Sequence, residues 1–188
     1  GIYFHLDKGI DDDGMWAEGA IGYQFMAMRG LLVCAEVLWR NGIDVYSYDN
    51  GRLKKVFDSP LWYTYPGGEA SPAVHDSGSA SLFNRDSHLY QYAQRRYGDK
   101  TYNAILSKVT PSLESVYNLF LPALDFAPVE AADLPRVPSV HFEGVGFAVG
   151  RTGDGDQSKY LFMDYGPNRS HGHPDKLNLM FYSLGHEF

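Results

Sequence analysis

The chain reads as an α+β protein of more than one domain, helical first and β afterwards. Three observations lead there. Apolar residues recur at three- and four-residue steps in several segments between Tyr23 and Val109. Residues 121–138, "LPALDFAPVEAADLPRVP", carry four prolines and no period. After Val140 the runs become short, apolar or alternating, with Gly- and Asp-rich turns between them. Helices followed by strands point to separate α and β domains rather than an alternating α/β fold. The expected organisation is a helical domain over 1–120, a linker over 121–138 and a β-domain from 139 to 188.

The elements follow in order. Residues 1–22 are rich in Gly and Asp and read as loop. From Tyr23 the set Phe25, Met28, Leu31, Leu32, Ala35, Leu38 and Trp39 predicts a helix, closed by Asn41-Gly42. A second helix is predicted from Gly51 to Phe57, running into Ser59-Pro60. Residues 60–80 form a long loop, and loops of that length in compact domains are often functional. Helices are predicted over Arg85–Tyr97, ended by Gly98, and over Tyr102–Val109. "HFEGVGFAVGR", "KYLFMDYG" and "KLNLMFYSLGHEF" predict antiparallel strands, with "TGDGDQS" as a turn.

Composition narrows the function classes. With 44% apolar and 21% charged residues, disorder is not the default. A net charge of −7 argues against a nucleic-acid binder, which needs a basic stripe. It leaves an anionic small-site ligand open, because that needs only local positive charge. No apolar run of about 18 residues suggests a membrane span. The single cysteine, Cys34, makes no internal disulfide and is expected as a buried, inert thiol. Gly1 is not a Met and Phe188 falls within a strand-like run, so the chain is expected to be an internal piece of a longer polypeptide.

Three segments hold candidate chemistry. In "DYGPNRSHGHPDKLNL", His171 and His173 are two residues apart. On a strand they would share a face, about 6.6 Å apart. They would serve a shared metal, or a metal and a substrate; the bland alternative is two exposed histidines at a strand entrance, since a metal site needs three or four ligands. In "DDGMWAEGAIGYQF", Tyr23 stands where a Gly-rich loop meets a long helix, with Trp16 and Glu18 just before it. A tyrosine at a cleft mouth can move protons; the alternative is that Trp16 and Tyr23 staple loop to helix. In "AVHDSG", His75, Asp76 and Ser77 are adjacent, which is no sign of a triad. Asp76 is expected to make an Asx-turn. His88 and His141 read as structural, and "TGDGDQS" lacks the spaced ligands of a calcium loop.

Together these segments resemble the heparinase II/III-like polysaccharide lyases, the group of the oligoalginate and heparin or heparan sulfate lyases. "DDGMWAEGAIGYQF" resembles the family's D-G-x-W-x-E-G…Y segment. "RNGIDVY…RLKKVFDSPL" followed by "SPAVHDSG" resembles the next helix pair and its D-S loop, and "DYGPNRSHGHPDKLNL" resembles Y-G-P…H-G-H-P-D-K-L. The resemblance spans most of residues 11–186. It implies part of an incomplete (α/α) toroid followed by an antiparallel β-sandwich, and β-elimination at a uronic acid. Tyr23 then matches the tyrosine that protonates the leaving oxygen and also serves as base. His171 matches the active-site histidine, and His173 a ligand of a structural zinc. Chemistry and position suggest Trp16 for stacking on a sugar and Arg169 for attracting a carboxylate or sulfate.

Two departures stand out. The family's carboxylate-neutralising Asn-His pair has no match here and would lie upstream; the other zinc ligands would lie beyond Phe188. His75 stands where a small or amide residue is expected. The implied partner is an acidic oligo- or polysaccharide, alginate or heparin/heparan sulfate, cleaved exolytically, with the rest of the polypeptide on both sides. The implied location is the periplasm or cell exterior. The competing classes are a non-catalytic binder of acidic glycans on the same fold, and a zinc hydrolase using the H-x-H pair.

Overall fold

The structure, a computed structural model, describes residues 1–109, 129–168 and 170–188. Residues 110–128, which include the first part (121–128) of the expected linker, and Arg169 lie outside the described residues. The protein is mixed α+β: five α-helices precede an antiparallel sheet of five strands among the described residues.

Helix α1 (Ile2–Lys8) corrects the expectation of loop over 1–22. Only Ile2 and Leu6 are buried, one turn apart, so its apolar stripe is two residues long. Helix α2 (Ile21–Arg40) buries Ile21, Phe25, Met28, Leu32 and Ala35, a single stripe at helical period. Cys34 lies off that stripe, on the same outer side as Tyr23 and Gly30, and is exposed rather than buried. This 20-residue helix is long and apolar enough to cross a bilayer, by length and composition only, which the expectation of no such run missed. Here it also buries polar groups: Glu36 is held by Arg96 at 2.6 and 2.7 Å and by the Tyr46 hydroxyl at 2.6 Å.

Helix α3 (Tyr48–Tyr63) has positive φ at Asp49, Asn50 and Gly51, so its regular part starts after Gly51, as the sequence predicts. It then runs past Pro60 to Tyr63, further than expected. Proline has no N–H for the carbonyl four residues back. That carbonyl, Val56 O, instead accepts the Gln24 side-chain amide at 3.0 Å, which is why the helix continues. Helices α4 (Tyr90–Tyr97) and α5 (Asn103–Leu106) complete the helical unit, and Gly98 ends α4 in the left-handed conformation.

Strands β1 (Val140–Phe142), β2 (Phe147–Thr152), β3 (Lys159–Asp164), β4 (Asn178–Ser183) and β5 (His186–Glu187) form a meander in chain order. Phe147 pairs with Asp164, and Asp164 with Asn178, so these residues mark one end of the sheet. Alternation sends Phe142, Phe147, Val149, Tyr160 and Phe162 to the buried face. There Phe142, Phe147 and Phe162 meet the Tyr63 ring of α3, and one apolar cluster runs from the helices into the sheet. The β1–β2 turn packs on the segment after β3. A Cβ at Gly166 would lie 1.9 Å from the Val145 carbonyl oxygen, so only glycine fits there. The opposite face of the sheet leaves Leu161, Leu179 and Phe181 exposed.

Candidate active site

Three segments meet beside the Phe147–Asp164 end of the sheet. Tyr23 projects from the first turn of α2. Asp76 comes from the loop after α3, and His171 from the loop between β3 and β4. The two loops are joined directly, the Asp76 N–H donating to the His171 carbonyl at 3.2 Å. The first turn of α2 comes close to the Asp76 loop at a glycine: a Cβ at Gly22 would meet the Ser77 Oγ at 2.8 Å.

The side chains form a closed triangle. The Tyr23 hydroxyl donates to Asp76 Oδ1 at 2.8 Å and lies 3.3 Å from His171 Nδ1. His171 Nδ1 lies 2.6 Å from Asp76 Oδ2. The Tyr23 and His171 rings stack, centroids 4.6 Å apart and planes 29° apart. The other imidazole nitrogen, Nε2, lies 3.6 Å from Glu18 Oε1. Glu18 in turn accepts the Trp16 indole N–H at 2.9 Å.

The charges follow from these contacts. The hydrogen bonds from His171 and then Tyr23 hold Asp76 below the usual carboxylate range. The bond to Asp76 raises His171 above its ordinary value, against the pull of desolvation, with the Asp76 and Glu18 charges adding to the rise. The same carboxylate raises the Tyr23 phenol, so Tyr23 is a neutral donor at neutral pH. Asp76 orients one imidazole nitrogen and leaves the other available, the geometry of a poised base.

The sequence candidates fall in different places. Tyr23 and His171 are brought together. Trp16 is linked to them through Glu18 and lines a neighbouring cavity of about 350 Å³ with His5, Met26, Gly30 and Cys34. Arg169 lies outside the described residues. His171 and His173 do not open a strand: β4 starts at Asn178, and His171 has a left-handed φ of 62° in the preceding loop. Period-two geometry therefore does not apply to them. His173 is exposed, and among the described residues no group of three or more His, Cys, Asp or Glu gathers to hold a metal ion. The described donors do not by themselves make a zinc site.

Two residues that build this constellation escaped the sequence reading. Asp76 was expected in an Asx-turn, yet its carboxylate is the hub of the triangle. Gln24 is fully buried beside Tyr23: it accepts the Trp16 backbone N–H at 2.6 Å and donates to the Gly14 and Val56 carbonyls at 2.8 and 3.0 Å. It fastens the Trp16–Glu18 loop to α2 and α3. The one available signal was its place inside an otherwise apolar helical stripe.

No protein-family model matches the chain, and no curated protein does. Solved structures share its fold. Heparinase III, the BT4657 gene product with methylated lysines, superposes with TM-score 0.70 at 16% identity over 99% of this chain. A crystal structure of heparinase III gives 0.72 at 16% over 100%, and the heparan sulfate lyase HepC from Pedobacter heparinus 0.71 at 15% over 100%. The chain spans 26%, 29% and 26% of those chains, respectively. At these identities the likeness is one of fold.

Proposed function

We propose that this chain is part of a polysaccharide lyase that cleaves uronic-acid-containing glycans by β-elimination, such as alginate or heparin/heparan sulfate oligosaccharides. The observation that carries the reading is the Tyr23–Asp76–His171 triangle, assembled from three distant segments. The shared fold with heparinase III supports it. So do the sequence motifs around Tyr23 and His171. In the same reading the helices belong to an incomplete (α/α) toroid and the strands to a β-sandwich.

The chemistry needs a base for the C5 proton and an acid for the C4 oxygen. His171 Nε2 takes the C5 proton, with Asp76 holding Nδ1–H and stabilising the imidazolium that forms. The C5 electron pair closes the C4–C5 double bond as the C4–O bond breaks. The Tyr23 phenol gives its proton to the departing oxygen. The Nδ1 proton of the imidazolium then passes to the Tyr23 phenolate through the hydrogen bonds that join His171, Asp76 and Tyr23, and exchange of the Nε2 proton with solvent restores the starting tautomer.

The test is direct. The complete protein is incubated with oligoalginate, heparin, heparan sulfate and hyaluronan, and absorbance of the new double bond is followed. Absence of signal on every uronate glycan, with measurable binding, would replace this reading by a glycan-binding protein. A hydrolysis product lacking the double bond would favour the hydrolase.

A further inference from the structure

The residue before Asp76 faces the other way, into the seam between helices and sheet. The His75 side chain is 4% exposed and that of Asp164 7%. His75 Nδ1 lies 3.1 Å from the Glu18 carbonyl oxygen. Its Nε2 lies 3.2 Å from both Asp164 Oδ2 and Lys176 Nζ. Lys176 donates to Asp164 Oδ2 at 2.7 Å, and Asp164 Oδ1 accepts the Gly166 N–H at 3.0 Å.

A carbonyl only accepts and an ammonium only donates. One tautomer satisfies both neighbours: Nδ1–H donates to Glu18 and the Nε2 lone pair accepts from Lys176. This assignment rests on the hydrogen-bond partners. It leaves Lys176 to neutralise Asp164, so the buried group carries no net charge. The imidazole thus joins the Glu18 loop to β3 and to the loop that carries His171. Packing reinforces it: a Cβ at Gly19 would lie 3.1 Å from His75 Cε1, and the Phe147 ring centroid is 6.0 Å from that of His75. His75 also holds a left-handed φ of 60°, which sets the direction in which Asp76 leaves the chain.

We propose that His75 is a positioning residue: clamped between the Glu18 carbonyl and the Lys176–Asp164 pair, it fixes the backbone on which Asp76 and Glu18 are mounted, so that the sheet holds the acid–base triangle in place. The proposal rests on the lyase reading for its effect on rate, but not for its effect on structure. His75 touches none of Tyr23, the Asp76 carboxylate or His171 by side chain, so its influence is through geometry, where a misplacement of about 1 Å costs about 10²-fold in rate.

Three variants separate the contacts. In His75→Asn the amide N–H stands near Nδ1, still reaches the Glu18 carbonyl, and asparagine accepts positive φ. In His75→Gln the amide stands near Nε2 and reaches Lys176 but not Glu18. His75→Leu reaches neither. The expected result is kcat lower by about 10²-fold in the Leu and Gln variants with KM within about threefold, and kcat within about tenfold of wild type in the Asn variant. Amide exchange at Gly19 and Asp76 should speed up in the Leu and Gln variants while the interior of α2 is unchanged. The Gln variant carries the test should the Leu variant fail to fold. Wild-type kcat in the Gln variant, no rescue by Asn, or unchanged exchange at both amides would overturn the proposal. Should the wild-type protein act on no uronate glycan, the lyase reading falls, and the exchange pattern alone decides on His75.

Discussion

Gln24→Met tests whether the loop beside Tyr23 is held by one buried amide. Methionine has nearly the same shape, so the packing of α2 is kept and the loss is polar. The amide makes four hydrogen bonds, to the Trp16 N–H, the Gly14 and Val56 carbonyls and Ser59 Oγ. Ser59 Oγ lies 3.1 Å from the Gly14 carbonyl, which therefore keeps a partner. The Trp16 N–H loses its acceptor. Val56 O keeps only a 3.5 Å contact with Ser59 Oγ, because Pro60 offers it no N–H. Two backbone groups left unsatisfied at about 1–3 kcal/mol each give a loss of roughly 2–6 kcal/mol. At about 2 kcal/mol per M of urea, the unfolding midpoint should fall by roughly 1–3 M, followed by tryptophan fluorescence. A midpoint within about 0.3 M of wild type would show that water or the methionine side chain satisfies these groups, and that the loop is anchored elsewhere.

Three further outcomes are expected. Asp76→Asn removes the hydrogen bond that raises His171. Because a base must be neutral to act, activity rises with pH through the His171 pKa, which lies above the ordinary 6.5; in the variant that limb should move down toward 6.5 and kcat should fall by about 10²-fold, read from a pH–rate profile. For Asp164, burial pulls the pKa up, but the bonds from Lys176 and the Gly166 N–H outweigh it and hold the pKa below 3.8. Its folded pKa being depressed, its contribution to stability is complete above the unfolded value of about 3.9 and is lost as pH falls through the lower folded value. Urea midpoints at pH 3 and pH 6 should therefore differ less in Asp164→Asn than in wild type. Finally, Tyr23 and His171 stack side by side, so acid and base act from one side of the sugar. Glucuronate and mannuronate carry H5 and O4 on the same ring face, iduronate and guluronate on opposite faces, and product analysis should show the first pair cleaved preferentially.

The strands and α2 were legible because their signals are local: period two with Gly and Asp turns, and a long stripe at period 3.6. Tyr23 and His171 were legible through motifs whose neighbours are unusual. Asp76 was not, since an Asp before Ser-Gly has an ordinary local use, and its real partners lie 53 and 95 residues away. The strand reading of His171 failed because the loop after Gly166 runs on to Leu177 before pairing resumes at Asn178. Cys34 was misplaced because apolar neighbours at positions 31–33 hid its angle on the helix. His75, the departure from the motif that its segment resembles, becomes intelligible only once Glu18, Asp164 and Lys176 are seen around it.

If the triangle performs β-elimination, turnover depends on the Tyr23 hydroxyl, and Tyr23→Phe is the decisive substitution. Phenylalanine keeps the ring stacked on His171 and removes only the hydroxyl. With the complete protein and a uronate oligosaccharide, double-bond absorbance should show kcat lower by about 10²–10⁴-fold with KM little changed. Wild-type turnover in that variant would show that the Tyr23 hydroxyl is not the acid and that the triangle does not carry the elimination.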